Sequence, residues 1–246
     1  MIIKPATAGD LTEILAWLEQ EKVDTGHSFI VNEGTIRDYF ARGELFVIRL
    51  DGKAAAFQAK RFSPSISVVR PDLRGQGYGR ALAEWTIADA LKSDVCALEI
   101  QCQPGTSIPF WRAMGFTIEK EGEFVEFTGS DAFLVLSREL ALPSGSPSDV
   151  IIEFYEDGSS QRGQGHALSS HRPEAVRGST GRIALAHRVV GYHPGNRSTD
   201  LNVRILVDGK QVVFDRAKYR DDIGLRRDRY SGAFYLDWID TCAAQA

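Results

Sequence analysis

The sequence predicts an α/β (α+β) domain, a mixed sheet flanked by helices, over residues 1–140, followed by a smaller mainly β domain over residues 149–246. Helical and strand periodicities alternate through the first part, in the order β-α-α-β-β-β-α-β-α-β-β. The segment Ala141-Leu142-Pro143-Ser144-Gly145-Ser146-Pro147-Ser148 then holds two prolines, one glycine and three serines, the composition of a linker. Beyond it no long helical stripe recurs and the charge balance changes: residues 1–147 carry 15 basic and 20 acidic side chains, residues 148–246 carry 14 and 13.

The first helix opens on Thr7-x-x-Asp10, a capping-box pattern, and places Leu11, Ile14, Leu15 and Leu18 at i, i+3, i+4 and i+7. A shorter helix is expected after Thr35-x-x-Asp38, with Ile36, Tyr39 and Phe40 as its apolar stripe and Gly43 as its stop. Glu44–Leu50 and Lys53–Arg61 read as strands joined by Asp51-Gly52, a strong hairpin turn. A third strand, Ser65–Arg70, enters a glycine-rich turn. Arg80–Leu91 lacks glycine and proline and reads as a helix with Ala81, Trp85 and Ala88 on its apolar face. Val95–Gln103 reads as strand, Thr106–Met114 as a short helix, and Thr117–Phe127 and Ala132–Arg138 as closing strands. In the second part the strand candidates are Val150–Tyr155, Arg182–Val190, Leu201–Val207, Gln211–Phe214 and Ala233–Ile239, with Asp208-Gly209 repeating the hairpin signal. A poorly ordered loop is expected within Asp157–Gly181.

Composition narrows the function classes. A net charge of −4 over 246 residues lacks the basic field that general polyanion binding requires, so nucleic acid is not the expected partner. Hydrophobic residues at 43% and charged residues at 25% are globular values. No apolar run approaches the roughly 18–20 residues that span a bilayer, so no membrane partner is expected. The opening Met1-Ile2-Ile3-Lys4-Pro5 does not read as a secretory signal, and the chain is expected to be cytoplasmic. Cys96, Cys102 and Cys242 contain no CxxC spacing, which argues against a disulfide framework or a cysteine-based zinc site. His166, His171, His187 and His193 lack companions at metal-ligand spacing, so no metal is expected.

The most informative stretch is Val69-Arg70-Pro71-Asp72-Leu73-Arg74-Gly75-Gln76-Gly77-Tyr78-Gly79-Arg80: strand, proline, three glycines in five residues, then helix. Glycines let successive backbone N–H groups turn toward one concavity, and the following helix adds its positive N-terminal end, a combination suited to pyrophosphate. Arg74 and Arg80 flank it with two positive charges. The absence of Gly-Lys-Ser/Thr excludes a P-loop, and the spacing is not that of a dinucleotide fold.

Arg74-Gly75-Gln76-Gly77-Tyr78-Gly79 resembles the (Gln/Arg)-x-x-Gly-x-(Gly/Ala) signature of the GNAT N-acetyltransferase superfamily, with Val69-x-Pro71 ahead of it. Pro109-Phe110-Trp111-Arg112-Ala113-Met114-Gly115-Phe116 is similar to that family's second landmark, an aromatic pair followed by Gly-Phe. The resemblance covers about residues 1–140 and implies an acetyl-CoA-dependent transfer to a primary amine of a small molecule or protein. It assigns the pyrophosphate to the loop of Arg74, Gly75, Gln76, Gly77, Tyr78 and Gly79, with Arg80 opening the helix beneath. The end of the strand at Val69 would pair with the pantetheine amides, and Trp111 would border the thioester. The amine then attacks the thioester directly.

Two positions depart from the family's pattern: Pro104 stands where it often has Asn, and Trp111 where it often has Tyr. An indole N–H can donate a hydrogen bond but is no proton source near pH 7, so Trp111 shapes the pocket or packs in the core; Phe110 and Phe116 read as core. A base is sought in the next strand, where Glu99 shares a face with Gln101 and Gln103 by period two, and Glu99 is the candidate catalytic residue. Cys102, on the opposite parity, reads as a buried small hydrophobe. Glu19, Glu21 and Asp24 read as a solvated helix end that could equally attract a cationic amine. Gln161-Arg162-Gly163-Gln164-Gly165-His166-Ala167 repeats the loop pattern with no helix behind it and is a decoy. Arg216–Arg229 mixes six basic side chains with interleaved aspartates and reads as a solvated loop. The β domain could complete the acceptor site, form a homodimer or recognise a partner. The alternative to an enzyme is a non-catalytic acyl-CoA-binding protein whose β domain is a partner-recognition module.

Overall fold

Thr7 caps the first helix, α1 (Ala8–Thr25): its side chain accepts from the Asp10 N–H, and the Asp10 carboxylate accepts from the Thr7 N–H at 2.6 Å. The buried face of α1 is Asp10, Leu11, Ile14, Leu18 and Glu21, and Gly26 ends the helix with φ 77°. These positions come from a computed structural model that describes residues 1–119, 129–156, 166–193 and 200–241. The readings on residues 120–127, on Gln161–Gly165 and on Cys242 lie outside the described residues. The chain forms two compact units: Met1–Lys92 with Leu98–Leu134, and Ser93–Ala97 with the chain from Val135 onward.

In the first unit, β1 (Ile3–Pro5), β2 (Leu45–Leu50), β3 (Lys53–Ala59) and β4 (Ile66–Val69) make an antiparallel sheet in sequence order. Helix α2 (Glu33–Ala41) starts at Glu33 rather than at Thr35, because a 3-10 turn over Phe29–Asn32, whose Ile30 N–H is held by the Ser28 hydroxyl at 3.2 Å, runs straight into it. Adjacent residues of β3 face opposite ways: Phe57 packs with Leu11, Ile14, Leu18 and Ile36 of α1 and α2, while Ala56 packs with Leu82 of α3 (Tyr78–Lys92). The expected face of α3 needs correction. Tyr78, Leu82, Ala83, Thr86 and Ala90 are buried, whereas Ala88 is exposed. Thr86 is admitted to the core because its hydroxyl donates to the buried Gln58 Oε1 at 2.9 Å, and each polar group satisfies the other. A second, three-stranded sheet has the order β5-β7-β6, from β5 (Ala97–Cys102), β6 (Thr117–Ile118) and β7 (Ser130–Val135), with α4 (Ile108–Ala113) between β5 and β6.

The second unit contains two sheets. One has the order β10-β9-β13-β14, from β9 (Val150–Glu156), β10 (Ser169–His171), β13 (Leu201–Val207) and β14 (Lys210–Arg216). The other has the order β15-β16-β12-β11-β8, from β8 (Ser146–Pro147), β11 (Ala175–Arg177), β12 (Ile183–Gly191), β15 (Arg226–Arg227) and β16 (Phe234–Ile239). Ile152, Phe154, Leu185, Val203, Ile205 and Leu236 form the centre of one core shared by both. The segment read as a linker is partly structural: Pro147 pairs with Val176, and the Leu140 N–H donates to the Ala186 carbonyl at 2.8 Å. The segment Arg216–Arg229 is likewise not a plain loop. It forms two 3-10 turns and β15, and within it Arg220 pairs with Asp222, Nε to Oδ1 at 2.9 Å. Among the described residues, no helix is long and apolar enough to cross a membrane, and no three metal-ligating side chains come together.

Asp10 gives a pH-dependent prediction. The Arg49 guanidinium, with Nε at 2.6 Å from Oδ1, holds the Asp10 carboxyl down at about 2 against an ordinary 3.8, helped by the Thr7 bonds and opposed by burial. A lowered carboxyl adds stability above its unfolded value, lost as pH falls through the folded one. Asp10→Asn should therefore cost about 2 kcal/mol at pH 7, and the difference from the parent should shrink from near pH 4 down to pH 2. Urea unfolding of both proteins at several pH values checks this.

Candidate functional site

β4 ends the four-stranded sheet and β5 begins the other, so the two strands are edges without a shared ladder. The Arg70 N–H donates to the Ala55 carbonyl at 2.9 Å, toward β3. By strand alternation, the N–H and C=O of Val69 face the open edge. A cleft of about 1480 Å³ runs along this edge, lined by β4, the glycine loop, Gln101 and Gln103 of β5 and beyond, Phe110 and Trp111 of α4, and the end of α1 with the 3-10 turn after it.

The loop builds the upper wall. Gly75 and Gly77 have φ 78° and 88°, the left-handed region that other residues adopt only at a cost, and a Cβ on either would meet nothing within 4 Å. Gly79 is different: its φ is not left-handed, and a Cβ there would touch Val69 and Phe110 at 3.7 and 3.8 Å, ordinary contact. Neither the backbone nor the packing of the chain requires glycine at 79, whereas close approach of a ligand to the helix end would. The Ala81 N–H reaches back to Gly77 O at 3.0 Å, so the N–H groups of Tyr78, Gly79 and Arg80 precede the first intrahelical bond of α3. They carry the positive end of the helix dipole at the cleft.

The side chains expected to hold the donor are placed unequally. Arg74 lines the cleft, yet its guanidinium is engaged: Nε donates to Val69 O at 3.2 Å and Nη2 pairs with Glu21. Arg80 lines the cleft and is only loosely held, with Glu84 at 3.8 Å. The Tyr78 side chain packs with Ile48, Ala56 and Leu82. Gln76 is not among the lining residues, and its amide donates to Asp72 O at 3.2 Å. Trp111 is buried and lines the cleft, with Phe110 and Phe116 edge-on at 4.9 and 5.2 Å between ring centroids. Phe116 is core as expected, but Phe110 is only half-buried and forms cleft wall.

Gln101 of β5 and Gln103 just beyond it reach the cleft while Glu99, two residues before Gln101 on the same face, is not among its lining residues. Glu99 is half-buried, and its N–H donates to Ser63 Oγ at 3.0 Å. Cys102 is fully buried and burial pushes its thiol up to about 11, in keeping with a packing role. Glu19 and Asp24 are exposed, but Glu21 is buried and lines the cleft. Its place was legible in the sequence, since Leu11, Ile14, Leu18 and Glu21 continue one helical stripe at spacings of three, four and three.

Residues 11–116 match the family model described as acetyltransferase (GNAT) family. No curated protein matches the chain. Among solved structures, ribosomal-protein-alanine N-acetyltransferase from Brucella melitensis aligns over 55% of this chain and 100% of its own, at 20% identity and a TM-score of 0.41. PaiA N-acetyltransferase from Thermoplasma acidophilum, in complex with coenzyme A, aligns over 55% and 98%, at 12% identity and a TM-score of 0.44. N-acetylglutamate synthase from Neisseria gonorrhoeae, complexed with coenzyme A and N-acetyl-glutamate, aligns over 56% of this chain but only 35% of its own length, at 17% identity and a TM-score of 0.43. The glycine loop and the Phe110–Phe116 landmark both fall inside the matched span, and residues 11–116 are a domain of the acetyltransferase (GNAT) family.

Proposed function

We propose that the first unit is an N-acetyltransferase that binds acetyl-CoA along the β4 edge and transfers its acetyl group to a primary amine. The observation that carries this reading is the loop from Arg74 to Gly79: two left-handed glycines, a third glycine the fold itself does not demand, and a helix end, all opening on one cleft. The residues fit the donor's chemistry. The N–H groups of Tyr78, Gly79 and Arg80 suit its pyrophosphate, and the Val69 N–H on the open edge suits a pantetheine carbonyl, as in addition of a strand.

The donor supplies an activated acyl carbon. The new N–C bond forms as C–S breaks, the nitrogen gives up a proton and the departing thiolate gains one. For this the chain has to hold amine and thioester at attack distance and limit water, effects that can supply about 7–11 kcal/mol of the barrier. Trp111 and Phe110 wall the cleft on the α4 side with apolar surface.

The second reading, an acyl-CoA-binding module without turnover whose β unit recognises a partner, is favoured by Trp111 and Pro104, neither of which can act as an acid. One preparation separates the two. Calorimetric titration with acetyl-CoA is expected to show one site, and thiol release should follow on adding n-butylamine, 1,4-diaminobutane, 2-phenylethylamine or an unblocked peptide. Binding without release from any amine selects the second reading. Failure to bind overturns both.

A further inference from the structure

We infer that Glu21 is the side chain that receives the acceptor: its unpaired carboxylate oxygen takes an N–H of a cationic primary amine and orients it toward the β4 edge. This rests on the proposed N-acetyltransferase reading and names the substrate class for it. Three observations on α1 and the cleft carry it.

Glu21 is the only carboxylate among the described residues that line the cleft, whose other charged lining side chains are Lys22, Arg74 and Arg80. It is 8% exposed, and while Oε1 pairs with Arg74 Nη2, Oε2 is buried with no hydrogen-bond partner among the described residues. A buried acceptor left unmet is costly, more so when charged, so an oxygen in this state is suited to a donor that arrives with a ligand.

Arg74 ties this oxygen to the reaction zone. The same guanidinium bonds Glu21 and, through Nε at 3.2 Å, the carbonyl of Val69 at the strand end where the donor is expected. The carboxylate therefore lies one guanidinium away from that strand end. An amine that gives one N–H to Oε2 keeps its lone pair available in the neutral form, and the cationic form is concentrated there by charge. The proton released on N–C bond formation passes to solvent. Glu21 acts here as a binding and positioning residue.

A merely structural Arg74–Glu21 pair makes a different prediction, and Glu21→Gln separates the two. With the amine that the wild-type protein acetylates, the KM for that amine should rise about 30-fold, the loss of one charged hydrogen bond. kcat and the acetyl-CoA affinity by calorimetry should each stay within about threefold. The readout independent of turnover is n-butylammonium binding to the CoA-saturated protein by ligand-observed NMR. Binding should be seen for wild type, be lost in Glu21→Gln, and be absent for n-butanol. Glu19→Gln, on the exposed side of the helix, should change neither KM nor NMR binding. If Glu21→Gln does not fold, Glu21→Asp keeps the charge and should show an intermediate KM.

An unchanged amine KM in a folded Glu21→Gln protein overturns the inference while leaving the acetyltransferase reading intact. So does a melting-point drop with a parallel loss of acetyl-CoA affinity and amine binding retained. A wild-type protein that binds acetyl-CoA but acetylates and binds no amine overturns the acetyltransferase reading, and this inference with it.

Discussion

Gly77→Glu is expected to reduce acetyl-CoA affinity by at least about a hundredfold while the first unit stays folded. At φ 88° any residue with a Cβ is strained, by about 1–2 kcal/mol. No atom lies within 4 Å of the Cβ it would carry, so the side chain enters open cleft rather than the core. The strain alone is tolerable for a domain with several kcal/mol of stability. The new carboxylate, by contrast, stands on the cleft-lining loop where the pyrophosphate charge is expected, and like charges forced together cost several kcal/mol. Gly77→Ala isolates the strain from the charge and should lose far less affinity than Gly77→Glu. Calorimetry on both variants, with circular dichroism to establish folding, is the measurement. Equal losses in the two would mean that backbone conformation, not anion repulsion, controls the site. An unchanged affinity in a folded Gly77→Glu protein would remove the donor from this loop.

The loop was legible because its demands are local: a turn that needs positive φ calls for glycine whatever surrounds it, so Gly75 and Gly77 announce themselves. The long elements were legible for the same reason, as with Leu201–Val207, whose bounds the sequence pattern reproduces. Features created by pairing across the chain were not. Thr86 and Gln58 look like surface residues until each supplies the other's hydrogen bond in the core. The strands Ser169–His171, Ala175–Arg177 and Arg226–Arg227 are two or three residues long and carry no periodicity of their own. They exist because a neighbouring strand offers them a ladder. Glu21 reads on residue type as part of a solvated helix end that could equally attract a cationic amine, although its spacing from Leu18 puts it on the buried stripe. Glu99 was chosen on parity, which is right about the face and silent about how far along β5 the cleft extends.

The second unit offers the larger stability effect. Arg188 of β12 is 4% exposed, and its guanidinium forms a two-pronged pair with Asp237 of β16, Nε to Oδ1 at 2.8 Å and Nη2 to Oδ2 at 2.7 Å, while lying 4.0 Å from the Tyr235 ring centroid. The pairing raises the guanidinium further against its desolvation, and Arg188 with Arg138 holds the Asp237 carboxyl below its usual range. Asp237→Ala should destabilise the unit by about 3 kcal/mol, because among the described residues it leaves the buried cation only the exposed Asp94 at 3.3 Å as counter-charge. Hydrogen exchange read peptide by peptide should show the loss in β12 and β16 and little change in β2 and β3. Because the carboxyl is lowered in the folded state, the parent's advantage over the variant should be full at neutral pH and shrink as pH falls through the carboxylate range. The double variant Arg188→Met, Asp237→Leu removes both charges and fills the volume, and it should recover much of the stability. Recovery would identify the single variant's loss as the cost of stranding a charge. If the double variant is no better than Asp237→Ala, the pair itself is what binds β12 to β16 at this position.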